Sequence, residues 1–366
     1  MAVPLLDLKR QNANLRSELD RAFGRVMDSC HFILGSELDA FEKECAAYLG
    51  VRHAVGVSSG TDAILLALMA LGLEPGDEVL CPSFTFFATA GCVARLGAKP
   101  VFVDSEEHSF NIDVEDAIRK TTSQTKAIIP VHLFGQAADM DRITAFAKER
   151  KIAVVEDAAQ AFGAQFGGVK VGGIGEFGCY SFFPSKNLGG FGDAGLLVTQ
   201  NDELAAKAKI LRVHGSNPKY YHALIGGNFR MDALQAALLR AKLPQIDSYS
   251  KKRAENAAFY QKAFAGLPVL LPAHLPGRSH IWNQFTIGVK DGKRDALKDH
   301  LLSKAIGCEI YYPLPLHEQK CFLGTVPALC PVASQLSREV LSLPIFPELT
   351  GGELEEVVCA VRSFFE

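Results

Sequence analysis

The sequence holds no apolar run long enough to span a membrane, and its first residues, "MAVPLLDLKRQNANL", reach charged side chains too early to contain a signal-peptide core. It has no paired cysteine spacing either. Nine cysteines stand scattered at 30, 45, 81, 92, 179, 308, 321, 330 and 359. With no C-x-x-C and no His-rich spacing they signal neither zinc nor a disulfide framework, and their odd count suits free thiols in a reducing compartment. No metal is expected. Charge of one sign is absent too: the formal net charge is -3 with 22% charged residues, so electrostatics predicts neither nucleic acid nor an anionic membrane as a partner. There are no internal repeats, low-complexity tracts or long charge runs. The expectation is a cytoplasmic protein that meets small molecules or other protein chains.

What is present is enough apolar material, 48% of 366 residues, for one large domain and one smaller one. Between about residues 50 and 200, β-rich runs ("DEVLCPS", "KPVFVDS", "KAIIPVHLFG", "IAVVEDAAQ", "AGLLVTQ") alternate with helix-periodic segments ("TDAILLALMALGL", "DVEDAIRKT", "DMDRITAFAKERK"). That alternation predicts an α/β fold with a largely parallel sheet covered on both faces. Beyond it, a long helical stretch broken at Pro244 leads to strand "IWNQFTIGV", helix "KRDALKDHLLSKAIG", strand "EIYYPLPLH" and a last helix "GELEEVVCAVRSFFE". The domains are placed at 1-245, large and with a helical N-terminal segment, and 246-366, small and α+β.

Two runs, Gly173-x-Gly175-x-x-Gly178 and Gly190-x-Gly192-x-x-Gly195, match the dinucleotide fingerprint by letter. Each leads into a strand-like segment rather than a helix, so neither presents a helix N-terminus to a pyrophosphate, and they read as tight loop backbone. A better anion site opens "SSGTDAILLAL", where the free amides of a first helical turn sit at Gly60; an ordinary Ser or Thr cap explains the same letters. In "VVEDAAQAFGA" an apolar strand ends in Glu156 and Asp157 with Gln160 three residues on, which points at a site at a strand's carboxyl end or at simple helix capping. Lys186 lies in "SFFPSKNLGG" among hydroxyl, aromatic and glycine residues. Alone it reads as a solvated loop lysine. Together, a phosphate site, a strand-end acid and an embedded amine are the three groups that a pyridoxal phosphate enzyme requires.

In order along the chain, "VPLLDLKRQ", "SSGTDAILLAL", "PSFTFFATA", "VEDAAQAFGA", "SFFPSKNLGGFGDAG", "RVHGSNPKYYH", "GGNFRMDALQAALL" and "EIYYPLPLH" resemble the DegT/DnrJ/EryC1/StrS group of nucleotide-sugar aminotransferases. The resemblance implies the type I fold of pyridoxal 5'-phosphate enzymes, with a mostly parallel seven-stranded sheet and a smaller α+β C-terminal domain. It implies Lys186 as the Schiff-base lysine, Ser181, Gly60 and Thr61 as phosphate contacts, Asp157 as partner of the pyridine nitrogen, Gln160 as donor to the phenolic oxygen and Phe86 as the residue stacked on the ring. Asn228 resembles the residue that reaches the phosphate from the other subunit, so a homodimer with shared active sites follows.

By the same resemblance the amino donor is L-glutamate and the acceptor a nucleotide-linked ketosugar, with Arg230, His214, Tyr221, Tyr311 and Tyr312 as substrate contacts; Lys219, Tyr220 and His222 are candidates beside them. The "RVHG…KYYH" and "YYPLPLH" segments look most like the branch that acts on UDP-linked 3-keto-N-acetylhexosamines or their uronates. Alternatives are a dTDP- or UDP-linked 4-ketosugar, or a dehydratase or regulatory protein of the same fold. The family's dehydratases carry histidine in place of the lysine; here the residue is Lys186, which favours transamination. The product would enter aminosugar or polysaccharide biosynthesis.

Overall fold

A computed structural model describes residues 2-324 and 328-366. Its first strands are β1 (His53–Val57), β2 (Glu78–Pro82), β3 (Lys99–Val103), β4 (Thr125–Ile128) and β5 (Ala153–Asp157). A two-residue hairpin, β6 (Gln165–Phe166) and β7 (Val169–Lys170), precedes β8 (Phe177–Ser181) and β9 (Gly195–Thr199). The main sheet has the order β1-β9-β8-β5-β4-β2-β3. β3, β2, β4, β5 and β8 run parallel, and β9 is antiparallel to both of its neighbours. Because β9 reverses twice, β1 points the same way as β8. The carboxyl ends at Val57, Pro82, Asp157 and Ser181 therefore share one edge, the edge where open α/β sheets gather ligands.

Strands buried on both faces explain the near-continuous apolar runs: every residue of β2 and β9 is buried. Helix Gly60–Leu71 is apolar almost all round because it is enclosed, with Ala63, Ile64, Leu66, Ala67 and Leu68 each 1% exposed or less. The Ser59 hydroxyl caps it by accepting from the Asp62 amide at 3.0 Å. Asp113 caps helix Val114–Lys120 in the same way, accepting from the amides of Glu115 and Asp116.

A separate three-stranded antiparallel sheet follows, β10 (Val269–Leu270), β11 (Phe285–Val289) and β12 (Val340–Leu343), in that order. Tyr260, Phe264, Phe285, Ile287, Leu343 and Phe346 form its core with the helices Ile246–Ala263, Arg294–Ser303 and Gly351–Phe365. The start of the chain leans on this layer: Val3 bridges to Ile306, and Arg10 pairs with Glu353. The predicted break at Pro244 is a 3-10 turn, Leu243–Gln245, between helices Ala233–Lys242 and Ile246–Ala263.

Three segments differ from expectation. "EIYYPLPLH" is not a strand; only Glu309 bridges, to Ser342, and then Pro313 and Pro315, which have no amide to donate, turn the chain into a 3-10 turn at Leu316–Glu318. "KAIIPVHLFG" is regular strand only to Ile128; past it, around Pro130, which has no amide to donate, pairing continues as isolated bonds, Ile129 to Leu80 and Val131 bridging Asp157. "IWNQFTIGV" begins as a strand only at Phe285, because the Ile281 and Asn283 amides are taken by the carbonyls of Gly135 and Phe134. All nine cysteines are free thiols, and among the described residues no helix is long and apolar enough to cross a membrane.

Glu353 closes the last helix with a capping box and receives Arg10 through two hydrogen bonds of 2.8 and 2.7 Å. Those bonds hold its carboxyl down to about 2, below the ordinary 4.5. A depressed carboxylate contributes stability that is whole above 4.5 and lost as pH falls through about 2. Glu353→Gln should lower the urea midpoint at neutral pH, with the gap to wild type closing as pH drops below 4.5. A gap that stays constant with pH would show that the ion pair contributes nothing.

Candidate active site

At the shared strand edge lies a cavity of 420 Å³, walled by Ser59, Gly60 and Thr61, by Thr85 and Phe86, by Asp157 and Gln160, and by Ser181, Lys186, Tyr311 and Tyr312. The four strand ends supply most of this wall. Phe86 and the two tyrosines close it from above, Phe86 with its ring half exposed and 6.2 Å from that of Tyr312.

Asp157 ends β5 at the floor and is 4% exposed. Its carboxylate accepts from the Thr89 hydroxyl at 2.8 Å and from the Ala159 amide at 3.2 Å. Burial pushes its pKa up; these two bonds, then the charge of Lys186, pull it back. Lys186 shows the reverse: burial pushes its amine from 10.5 down to about 8, and Asp157 lifts it. The two side chains share one poorly solvated floor.

The first turn of helix Gly60–Leu71 faces β8. A side chain at Gly60 would bring its Cβ to 2.7 Å from Ser181 Cβ, so only glycine lets the helix start sit against the strand end. The amides of Gly60 and Thr61 have no carbonyl within the helix to meet, and the Ser181 hydroxyl stands beside them. Gln160 is fixed at both ends: its oxygen accepts from the Phe134 amide at 2.6 Å, and its nitrogen donates to the Tyr312 hydroxyl at 3.0 Å. One amide hydrogen is left for the cavity. A planar cation with an anionic arm fits this donor set: carboxylate below, amine at one end, helix amides and a hydroxyl at the other, and an aromatic face above.

Gly60, Thr61, Phe86, Asp157, Gln160, Ser181, Lys186, Tyr311 and Tyr312, all anticipated, thus meet in one cavity. Asn228, Arg230, His214 and Tyr221 are not in its wall. Asn228, His214 and Tyr221 are exposed, Tyr221 at 71%, on the segment that runs past the outer face of β1. Arg230 is half-buried; its backbone bridges Val57, and its Nε is buried without a bonding partner. Sequence reasoning missed Thr89, Thr85, Asp193 and Gln284, whose residue types carry no local signal.

Glu156, one residue before Asp157, faces the other side of the sheet. It accepts from the amides of Gly172, Ile174 and Gly175 at 2.6 to 2.8 Å and from His132 Nε2 at 3.0 Å. The Ala138 amide donates to His132 Nδ1, so the ring hydrogen sits on Nε2. The first two glycines of the first run thus lie in a loop wrapped round a carboxylate, entered through Gly172 at φ +89, and the third lies in β8, so the run is not a dinucleotide site.

The model of the DegT/DnrJ/EryC1/StrS aminotransferase family matches residues 13–362. A "pleiotropic regulatory protein" of Geobacillus stearothermophilus is 47% identical, covering 100% of this chain and 99% of its own. The UDP-N-acetyl-3-dehydro-α-D-glucosamine 3-aminotransferase of Acidithiobacillus ferrooxidans is 45% identical over 99% and 97%. Among solved structures, DesV of S. venezuelae in complex with a ketimine intermediate is 43% identical, covers 100% of this chain and 99% of its own, and superposes with a TM-score of 0.97. The chain belongs to the DegT/DnrJ/EryC1/StrS aminotransferase family.

Glu156→Ala should remove the shared acceptor of three backbone amides and of buried His132, and destabilise the chain by about 3 to 5 kcal/mol in urea unfolding. A loss below about 1 kcal/mol would mean that the loop finds other partners.

Proposed function

We propose that this cavity moves an amino group from L-glutamate to a nucleotide-linked ketosugar, with Lys186 as the reacting amine. The family and the solved relatives make the chain a pyridoxal 5'-phosphate-dependent sugar aminotransferase. The observation that carries the assignment of roles is that half-buried Lys186 and buried Asp157 line one cavity, the carboxylate having only the Thr89 hydroxyl and the Ala159 amide as partners.

When bound, pyridoxal phosphate supplies an electron sink that makes the α-proton of an attached amine acidic. Asp157 would sit at its pyridine nitrogen and keep that nitrogen protonated, which in turn keeps Asp157 ionised. The Gly60 and Thr61 amides and the Ser181 hydroxyl would take the phosphate, Gln160 would donate to the phenolic oxygen and Phe86 would cover the ring. Lys186 would hold the cofactor through its amine and, once released by the amino donor, carry a proton as general base. A desolvated floor favours its neutral form near physiological pH.

Lys186 carries the only positive charge among the residues of the cavity wall. A sugar diphosphate needs more cations than that, and the exposed segment with His214, Lys219, Tyr221, His222, Asn228 and Arg230 offers them. We place that segment over the cavity of a second copy, with Asn228 reaching the phosphate, in a homodimer with shared sites. In this reading residues 1-245 carry the cofactor, and 246-366 form the smaller unit that lends Gln284, Tyr311 and Tyr312 to the wall. The Acidithiobacillus enzyme supports a UDP-linked 3-keto-N-acetylhexosamine as acceptor, and a UDP-2-acetamido-2-deoxy-3-oxo-D-glucuronate aminotransferase of Pseudomonas aeruginosa, 37% identical, supports its uronate. A dTDP-3-amino-3,4,6-trideoxy-α-D-glucose transaminase of Streptomyces venezuelae, 44% identical, favours a dTDP-linked sugar as the second reading.

Borohydride reduction of the loaded protein followed by peptide mapping should place the cofactor mass on Lys186, and Lys186→Ala should lose it with at least about a thousandfold of kcat. A label on another lysine sinks the assignment. A panel of UDP- and dTDP-ketosugars, read by product mass, decides between the two acceptors. In the cofactor-free chain, acylation of Lys186 should rise about tenfold per pH unit up to about pH 8 and level off above it, since only the neutral amine reacts. Gly60→Val should weaken cofactor binding by about tenfold or more, measured by fluorescence titration, because its side chain would push the helix start off Ser181.

A further inference from the structure

Lys242 ends helix Ala233–Lys242 and is 1% exposed, one of the few lysines a fold can bury so fully. Its Nζ donates to the Gly189 carbonyl at 2.6 Å and lies 5.4 Å from the centre of the Phe191 ring. The acid that acts on it is Glu348, while burial pushes the amine down to about 8. Seven residues back on the same helix face, Gln235 Oε1 accepts from the Phe191 amide at 2.9 Å. The helix thus grips the chain at 189 and 191.

These residues close the turn that carries Lys186. The Lys186 amide donates to the Phe183 carbonyl at 2.8 Å and the Gly190 amide to the Phe182 carbonyl at 2.7 Å. A side chain at Gly189 would collide with the Pro184 carbonyl, so the turn is folded back on itself without slack. On its other flank Asn187 donates to the Ile281 carbonyl at 3.0 Å and accepts from Asn283 at 2.9 Å. A displacement of Gly189 must therefore be passed to residues 183-186. An apolar side chain of Lys242's length would fill the same space but leave the buried Gly189 carbonyl without its donor.

We propose that Lys242 is a positioning residue for Lys186: its buried ammonium, bonded to the Gly189 carbonyl, fixes the turn from which the Lys186 side chain enters the cavity. This rests on the role given to Lys186 above.

The test compares Lys242→Met, which keeps the stem and drops the amine, with Lys242→Arg, which keeps a donor, and with Leu343→Ala, a core change in β12 that lowers stability away from the cavity. In the cofactor-free chain, amide hydrogen exchange of residues 183-192 should quicken by about tenfold or more in Lys242→Met relative to Leu343→Ala. In the loaded enzyme, kcat should fall by about tenfold or more with KM for L-glutamate within about twofold, and Lys242→Arg should recover most of the loss. If Lys242→Met matches Leu343→Ala in loop exchange and keeps its kcat, the residue is structural filling and the proposal falls. Should Lys242→Met fail to fold, Gln235→Ala carries the test: faster exchange confined to 183-192 supports the grip, and wild-type exchange there overturns it. Failure of the functional reading is distinguishable, since the wild-type protein would then show no cofactor mass on Lys186 after borohydride.

Discussion

A carboxylate buried at the end of a central strand, with one hydroxyl and one amide for company, sets the terms for everything around it. Asp157 is walled on its protein side by the thiols of Cys81, Cys92 and Cys179, all buried and all pushed up by the same lack of water. An acid so placed is costly unless a cation meets it. Lys186 answers part of the need by charge, and its own amine is weakened by the same dry surroundings. A bound pyridinium would complete the arrangement: it gives Asp157 its counter-charge and frees Lys186 to be neutral.

The adjacent acids on β5 show how strand geometry divides labour. Side chains alternate across a strand, so Glu156 and Asp157 must face opposite sides. One is saturated by four donors and builds a loop; the other is left short of partners and faces the cavity. The same residue type thus gives structure or chemistry according to how many hydrogen bonds the fold supplies. Of the first glycine run, whose letters suggest a nucleotide site, Gly173 and Gly175 belong to that loop and Gly178 to β8.

What could be read in the sequence was local. The helix start at Gly60, the acid at the end of an apolar strand and the lysine among glycines are each defined by neighbours within a few residues, and the parallel sheet follows from the alternation of strand and helix patterns. The roles of Gln160, Ser181 and Phe86 came only through family resemblance. Thr89 and Gln284 were invisible because their places depend on packing between segments distant in the chain; an ordinary threonine in "ATAGC" says nothing of a carboxylate 68 residues away. Lys242 was hidden for the same reason, in a stretch that reads only as long helix broken at Pro244. The "EIYYPLPLH" segment misled because Ile310, Tyr311 and Tyr312 are residue types that strands favour, yet two prolines after them remove the amides that a sheet would need.

The relatives are named for different sugars and nucleotides, and the distribution of charge in this chain offers a place where such a choice could be made. Groups that would handle the proton and the cofactor lie at strand ends and in the first turn of a buried helix, where a change in one side chain disturbs the core. The cations that a sugar diphosphate requires are absent from that wall. His214, Lys219 and His222, among the cations proposed above for that task, are exposed, where a side chain can change at small cost to stability. Chemistry is thereby tied to the sheet, and the choice of nucleotide and ring is left, in the dimer proposed above, to a surface loop that only a second chain would bring to the cavity.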